Sequence, residues 1–497
     1  MAMRITVIRG RVVVSAGCGD GIGRVNRARV AHRVGPTSGR IVADRRQSGL
    51  DARTRALDSG AMTTAADPVE TGLVASLRGL DRDGRLLFLI RSLRMFAYGF
   101  LAVVLVLYLD ALGLDAFTIG AILTLTLIGD TLLSLWLTTN ADRIGRRRVL
   151  VAGCVLMALA GVVFALTSWP PLLIVAATIG VISPTGNEVG PFLAVEQAAL
   201  SESTHGARRT STFAWYNLVG YVATASGALL AGLVSQALLE GGAAPADAYR
   251  VVGVGYAAIG VVMALTSARL GAQVEPPRGG KRSDDGIRRR FGLGRSRRVI
   301  LRLSALFSID AFAGGFIPLS LMAYWFHLRF GVEPGVLGAV FFGSNLLSAV
   351  SALSAARIAA RIGLINTMVF THLPSNVLLI LVPLMPTLEL AVAVLLLRFC
   401  LSQMDVPTRQ SYVMAVVDPD ERSAAAGVTG IARTTGAAIS PSVSTVLVSS
   451  ASLAALPFFL AGGLKIVYDL LLYREFRSVR PPDEGGRGRR GGAGPGA

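Results

Sequence analysis

The chain has 497 residues, of which 52% are hydrophobic and only 16% charged, and it carries a formal net charge of +18. Soluble globular proteins are charged at about a quarter of their positions, so this composition excludes a water-soluble enzyme and makes the bilayer the solvent. The basic residues fall in short connectors and in the two tails, as the positive-inside rule produces without any nucleic-acid partner.

Residues 1–61 hold twelve arginines and four aspartates, with no lysine, no glutamate and no sustained apolar period. They are expected to lack regular structure. Gly17, Gly21 and Gly23 echo a dinucleotide-binding loop, but the G-x-G-x-x-G spacing is missing and the rest of such a domain is absent. Cofactor binding is rejected, and no apolar stretch with a cleavage site marks a signal peptide. Met62 opens a more ordinary start, so residues 1–61 read as an upstream extension. An amphipathic stretch follows through Leu80, and the whole of 1–85 is expected to form a cytoplasmic extension. Only two of the 49 basic residues are lysines, Lys281 and Lys465, a bias that fits a GC-rich bacterial genome. Cys18, Cys154 and Cys400 are too scattered for a disulfide framework or a zinc site and read as packing residues.

From Leu93 onward twelve apolar windows recur, each long enough to cross roughly 30 Å of hydrocarbon as a helix. The first six cover 93–112, 117–137, 149–166, 172–195, 212–234 and 251–270. The second six cover 300–324, 336–355, 367–384, 388–406, 428–449 and 456–472. The expected fold is all-α: two six-helix bundles over 86–270 and 299–476, joined by a basic linker at 271–298 and followed by a disordered tail at 477–497. Charges sort by side. Arg143, Arg146, Arg147, Arg148, Arg208, Arg209, Arg357, Arg361, Arg474, Arg477 and Arg480 share one side; Asp110, Asp115, Glu240, Asp247, Glu333 and Glu389 share the other. Both termini are therefore expected in the cytoplasm of a multi-pass inner (plasma) membrane protein.

The two sets echo each other. Arg94 to Phe100 matches Asp310 to Phe316, Gly129 to Ser134 matches Gly343 to Ser348, Arg143-Ile144-Gly145 recurs as Arg361-Ile362-Gly363, and Glu188-Val189 recurs as Asp405-Val406. Four matches in order at a nearly constant offset imply a duplicated six-helix unit, and the even helix count per half makes the repeats parallel.

Twelve helices in a 6+6 repeat, a long central loop and the turn Asp142-Arg143-Ile144-Gly145-Arg146-Arg147-Arg148 resemble the major facilitator superfamily of secondary transporters over about Leu87 to Arg477. The resemblance implies that Asp142, Arg143, Gly145, Arg146 and Arg147 latch the cytoplasmic ends of the two halves, with Asp142 aimed at the start of the eleventh helix. A plain topology anchor accounts for the same charges. The family's glycine four residues before the aspartate is Thr138 here, and the echo at Arg361 and Gly363 has Ala360 in place of the acid. Drug and proton antiporters of the family carry an arginine in the fourth helix and a glycine-proline signature in the fifth; neither is present.

An ionisable residue at a helix centre costs about 3 kcal/mol in the bilayer and marks function by default. Arg94 and Asp310, equivalent by repeat and opposite in charge, suggest a pair across a central cavity; snorkelling of Arg94 is the alternative. Broken helices line cavities, and the fourth and tenth windows are interrupted around Pro184, Asn187, Glu188 and Pro191, and around Gln403, Asp405, Pro407, Arg409 and Gln410. Glu188 and Asp405 are candidates for proton or substrate binding or for a gate with Arg409, Arg208 or Arg209. Arg398 is a candidate for facing an anionic substrate or neutralising an acid. Glu196 reads as a rim residue, Lys465 and Asp469 as a local ion pair, His372 as an interhelical hydrogen-bonding group, and Asp130 as an interface residue.

No nucleophile motif, phosphate loop or metal cluster is present, and four scattered histidines make no metal site. The expected function is secondary active transport of a small molecule by alternating access, driven by the proton gradient with no cofactor. Export is favoured by the several acids and few sugar-binding aromatics, with uptake or facilitated diffusion as the alternative. The expected partners are the solute and the lipid bilayer, with the chain a monomer.

Overall fold

The computed structural model describes residues 3–8, 11–16, 80–187, 192–203, 208–275, 296–418 and 421–478. The chain divides into two compact units, residues 1–69 and 70–497. In the first, β1 (Met3–Ile8) and β2 (Arg11–Ala16) pair antiparallel, with Met3 opposite Ala16 and Ile8 opposite Arg11. This hairpin departs from the expectation of no regular structure. The β-branched run Ile5-Thr6-Val7-Ile8 faces Val12-Val13-Val14, and cross-strand packing of such side chains outweighs the flanking arginines.

The second unit is helical throughout its described residues. Its first half contains α1 (Arg82–Ala102), α2 (Leu105–Ala111), α3 (Ala116–Ile144), α4 (Arg146–Leu166), α5 (Pro170–Ile179), α6 (Phe192–Ser203), α7 (Arg208–Glu240) and α8 (Pro245–Ala268). The second half contains α9 (Arg297–Gly315), α10 (Leu319–Phe330), α11 (Pro334–Ile362), α12 (Leu364–Leu381), α13 (Leu388–Ser402), α14 (Asp405–Val416), α15 (Arg422–Ser449) and α16 (Leu456–Phe476). Helices are the form that satisfies every backbone group within one segment in lipid. Their starts are set by side-chain caps at Asp81 and Asp115, or by proline in the first turn of α5, α8, α11 and α16. Gly145 and Gly363 end α3 and α11 at φ +104° and +87°, so the repeated Arg-Ile-Gly is a repeated helix stop.

Among the described residues, nine helical stretches are long and apolar enough to cross a membrane, or ten when α1 and α2, bent by 41°, count as one. The expectation was twelve windows. The fourth window is broken: α5 ends after ten residues, and Gly180 to Asn187 run as turns before α6. The eleventh, α15, has 28 residues but is rich in Ala, Gly, Ser and Thr, small residues that suit close helix contact more than hydrocarbon.

The halves repeat each other in packing. α1 lies on α7 and α8, α3 on α5 and α4 on α8; in the second half α9 lies on α15 and α16, α11 on α13 and α12 on α16. Glycines permit the equivalent close approaches. A Cβ at Gly99 would stand 2.1 Å from the Thr224 carbonyl oxygen, and one at Gly315 would stand 2.4 Å from that of Ala437. Between the halves α7 meets α11, α15 meets α3 and α2 meets α10.

These crossings draw the bundles together at the end that carries Asp110, Glu240 and Glu333. There the Tyr324 hydroxyl donates to Asp110 at 2.9 Å, Gln236 donates to Glu333 at 2.8 Å, and the Ser442 hydroxyl reaches Thr124 at 2.7 Å. Leu132, Trp136, Leu159, Leu166, Trp169 and Val175 are exposed on the outer surface of the bundle, as a lipid-facing belt requires.

Candidate functional site

Broken helices converge on a cavity of about 160 Å³ between the halves, lined among others by Thr185, Asn187, Pro318, Leu319, Arg398, Gln403 and Lys465. Each break has a local cause. Pro318 cannot donate a backbone hydrogen bond, so α9 stops and α10 restarts; the Ser444 hydroxyl caps the freed carbonyl of Phe316. In the first half the unwound stretch holds Val181 at φ +53°, a strained conformation for a β-branched residue, with Tyr256 donating to its carbonyl at 3.0 Å. Across the cavity the Ser320 amide donates to the Pro184 carbonyl at 3.2 Å, joining two breaks from opposite halves. The third break lies between α13 and α14, where the Gln403 amide donates to Ser351.

Behind one wall lies a buried charge cluster drawn from four helices. Asp310 of α9 accepts from Lys465 of α16 at 2.5 Å and from Arg409 of α14 at 3.2 Å. Arg409 also donates to Asp405 at 2.9 Å, one turn away on its own helix. His372 of α12 bonds Asp469 through Nδ1 at 2.9 Å and turns Nε2 towards Asp310 at 4.0 Å, while Asn376 donates to Asp469 at 2.9 Å. All of these side chains are buried; only Lys465, 11% exposed, also borders the cavity. Three carboxylates against Lys465 and Arg409 leave one negative charge for His372 or Arg398 to balance. His372 is the group whose ordinary range lets it take or release that charge near neutral pH.

The expected Arg94–Asp310 pair does not form. Arg94 donates both guanidinium arms to Glu196 of α6, with the second contact at 2.8 Å, and the Tyr216 hydroxyl completes the site. Each half thus pairs its first helical segment with its fourth, in reversed polarity: Arg94 with Glu196, and Asp310 with Arg409. Glu196 is fully buried rather than at the rim, because a neighbouring Arg94 offsets its desolvation. Lys465 and Asp469 are not bonded to each other; four residues apart on one face, they reach out to α9 and α12 instead.

Asp405 pairs with Arg409, one of the alternatives open for it, while Asn187 and Arg398 line the cavity. Glu188 lies outside the described residues, as do the side chains of Asp142, Arg208 and Arg209, so the expected latch does too. Arg143, Arg147 and Arg361 are exposed at the ends of their helices. The turn makes one contact that was not expected: Glu275, beyond α8, accepts from the amides of Arg146 at 2.8 Å and Arg147 at 3.2 Å, capping the positive end of α4. Asp130 accepts from Ser134 on its own helix.

This architecture has known counterparts. The family model of the Major Facilitator Superfamily matches residues 87–441. The chain belongs to the Major Facilitator Superfamily. It is therefore a membrane transporter of small molecules rather than an enzyme. The uncharacterized membrane protein YJR124C of Saccharomyces cerevisiae is 31% identical over 436 residues, covering 80% of this chain and 95% of the yeast protein. That relative is fungal, and the bacterial origin read from the arginine bias finds no support in it. Among solved structures, a variant of the nucleoside transporter NupG aligns with a TM-score of 0.64 at 16% identity, over 79% of this chain and 99% of that one. A D-xylose-proton symporter aligns at 0.63 and 15%, over 81% and 99%. A bacterial homolog of the human lysosomal transporter Spinster aligns at 0.62 and 14%, over 80% and 97%. At these identities the likeness is one of fold.

Proposed function

We propose that this superfamily member moves a small solute by alternating access coupled to protons, its two bundles rocking about the cavity. The observation that carries the coupling is Asp310: a buried carboxylate held by Lys465 and Arg409, with His372 4.0 Å away and the cavity directly beyond Lys465. A proton entering this cluster redistributes its ion pairs.

Two directions fit. Export in exchange for protons is the direction the membrane-depth acids favour, because solute and proton that compete for one carboxylate move oppositely. Entry together with protons is favoured by Lys465, which serves both Asp310 and the cavity wall. With Asp310 protonated, its ammonium is released to the cavity, so proton and solute bind together. The arginine-rich end at Gly145 and Gly363 is assigned to the cytoplasm by the positive-inside rule, which places both termini there and the closed end outside. Asp142, with Arg143, Arg146 and Arg147, is assigned to the cytoplasmic latch, and the plasma membrane is its assigned location.

Purified protein in liposomes carrying an imposed pH gradient tests the coupling. Solute flux should follow the gradient in the wild type and ignore it in Asp310→Asn; equal gradient dependence in both would overturn the role of Asp310.

A further inference from the structure

We infer that the solute is a small organic anion whose carboxylate docks on Arg398, with Lys465 as the second cation of the site. This rests on the transport reading only in taking the central cavity as the solute site. The buried arginines Arg94 and Arg409 each grip a carboxylate. Arg398 is different: it lines the cavity, its Nε is buried without a hydrogen-bond partner, and among the described residues no carboxylate lies within 4 Å of it. A partly buried guanidinium that no described carboxylate touches directly is open to a ligand that supplies one. Its planar fork matches a carboxylate bidentately, which a point charge does not.

The remaining wall fits the rest of such a molecule. Phe341, Phe399 and Tyr221 line the cavity with aromatic rings, with Phe399 under the Arg398 guanidinium at 5.0 Å, and Asn345 and Asn187 add polar side chains to the lining. The volume, about 160 Å³, matches the size of cavity that holds benzene and limits the ligand to roughly ten non-hydrogen atoms. Lys465 is neutralised by Asp310 in this arrangement, so Arg398 is the primary contact and Lys465 joins when Asp310 is protonated.

The test is direct binding to the full-length protein in nanodiscs, by calorimetry without any gradient, using benzoate and succinate as probes beside benzamide and succinamide. At least one carboxylate should bind, its amide should bind at least tenfold more weakly, and Arg398→Gln should lower carboxylate affinity at least tenfold. Arg398→Lys, which keeps the charge, should retain part of it and guards against a Gln variant that fails to fold. Equal binding of acid and amide, unchanged affinity in both Arg398 variants, or no binding of either carboxylate would overturn the anion site. Carboxylate binding without flux in liposomes would leave the site standing and sink the transport mechanism instead.

Discussion

Asp310 and Lys465 meet at 2.5 Å across α9 and α16, and Arg409 holds the other carboxylate oxygen at 3.2 Å. One carboxylate thus bonds two buried cations, of which Lys465 has no other carboxylate partner among the described residues. Removing it leaves Lys465 without a carboxylate, while Arg409 keeps Asp405 at 2.9 Å, and breaking a buried pair costs about 3–5 kcal/mol. Asp310→Asn is therefore expected to lower the thermal midpoint in detergent as well as abolish coupled flux. Adding Lys465→Met removes the ammonium that has lost its partner and should restore most of the stability without restoring coupling. If the double variant is as unstable as the single one, the unpaired ammonium is not the cause.

The Arg94–Glu196 pair predicts a different pattern. Both groups are fully buried and neither borders the cavity. Arg94→Gln or Glu196→Gln alone should each cost about 3–5 kcal/mol, because the partner is left charged in a dry environment. The double Gln variant should recover much of that loss and transport normally. A stable double variant that does not transport would move the pair from scaffold to mechanism.

At the closed end, Tyr324 donates to Asp110 across the two halves. A hydrogen bond to a charged acceptor contributes about 1.5–3 kcal/mol. Tyr324→Phe should shift the equilibrium away from this closure by about tenfold or more, since each 1.4 kcal/mol is tenfold. Alkylation of an Ala111→Cys reporter should accelerate correspondingly; an unchanged rate would show that other contacts hold the gate.

Helix existence and the repeat were legible in the sequence, because apolar length and the twin Arg-Ile-Gly stops are local properties. The choice of charge partner was not. Arg94 and Asp310 are equivalent by repeat, yet each finds an acid or base on its own bundle, since the packing of α1 beside α6 and of α9 beside α14 and α16 decides which groups come within reach. Lys465 and Asp469 stand four apart, which reads as a local pair, but both sit on the face of α16 buried against α9 and α12. The twelfth segment's lysine, the single one among the apolar windows, was the available signal. Arg398 was legible as an anion candidate because it lies deep in its window, whereas its lack of a contacting acid among the described residues needed coordinates.

Gly232 offers a steric test of rocking that leaves charge untouched. It sits on α7 where that helix meets α11 of the other half, and a Cβ there would stand 2.3 Å from the Pro334 carbonyl oxygen and 2.9 Å from the Gly338 Cα. Both obstacles are backbone, so neither can rotate out of the way as a side chain would. Gly232→Val should therefore leave each bundle folded but prevent the halves from closing at the Asp110 and Glu333 end. The expected result is normal yield, loss of flux and a permanently reactive Ala111→Cys reporter. Gly463, on α16 with no atom within 4 Å of its would-be Cβ, is the matched control, and Gly463→Val should transport like the wild type. Loss of flux in Gly232→Val with an unreactive reporter would place the damage elsewhere and argue that closure at this end does not depend on the α7–α11 contact.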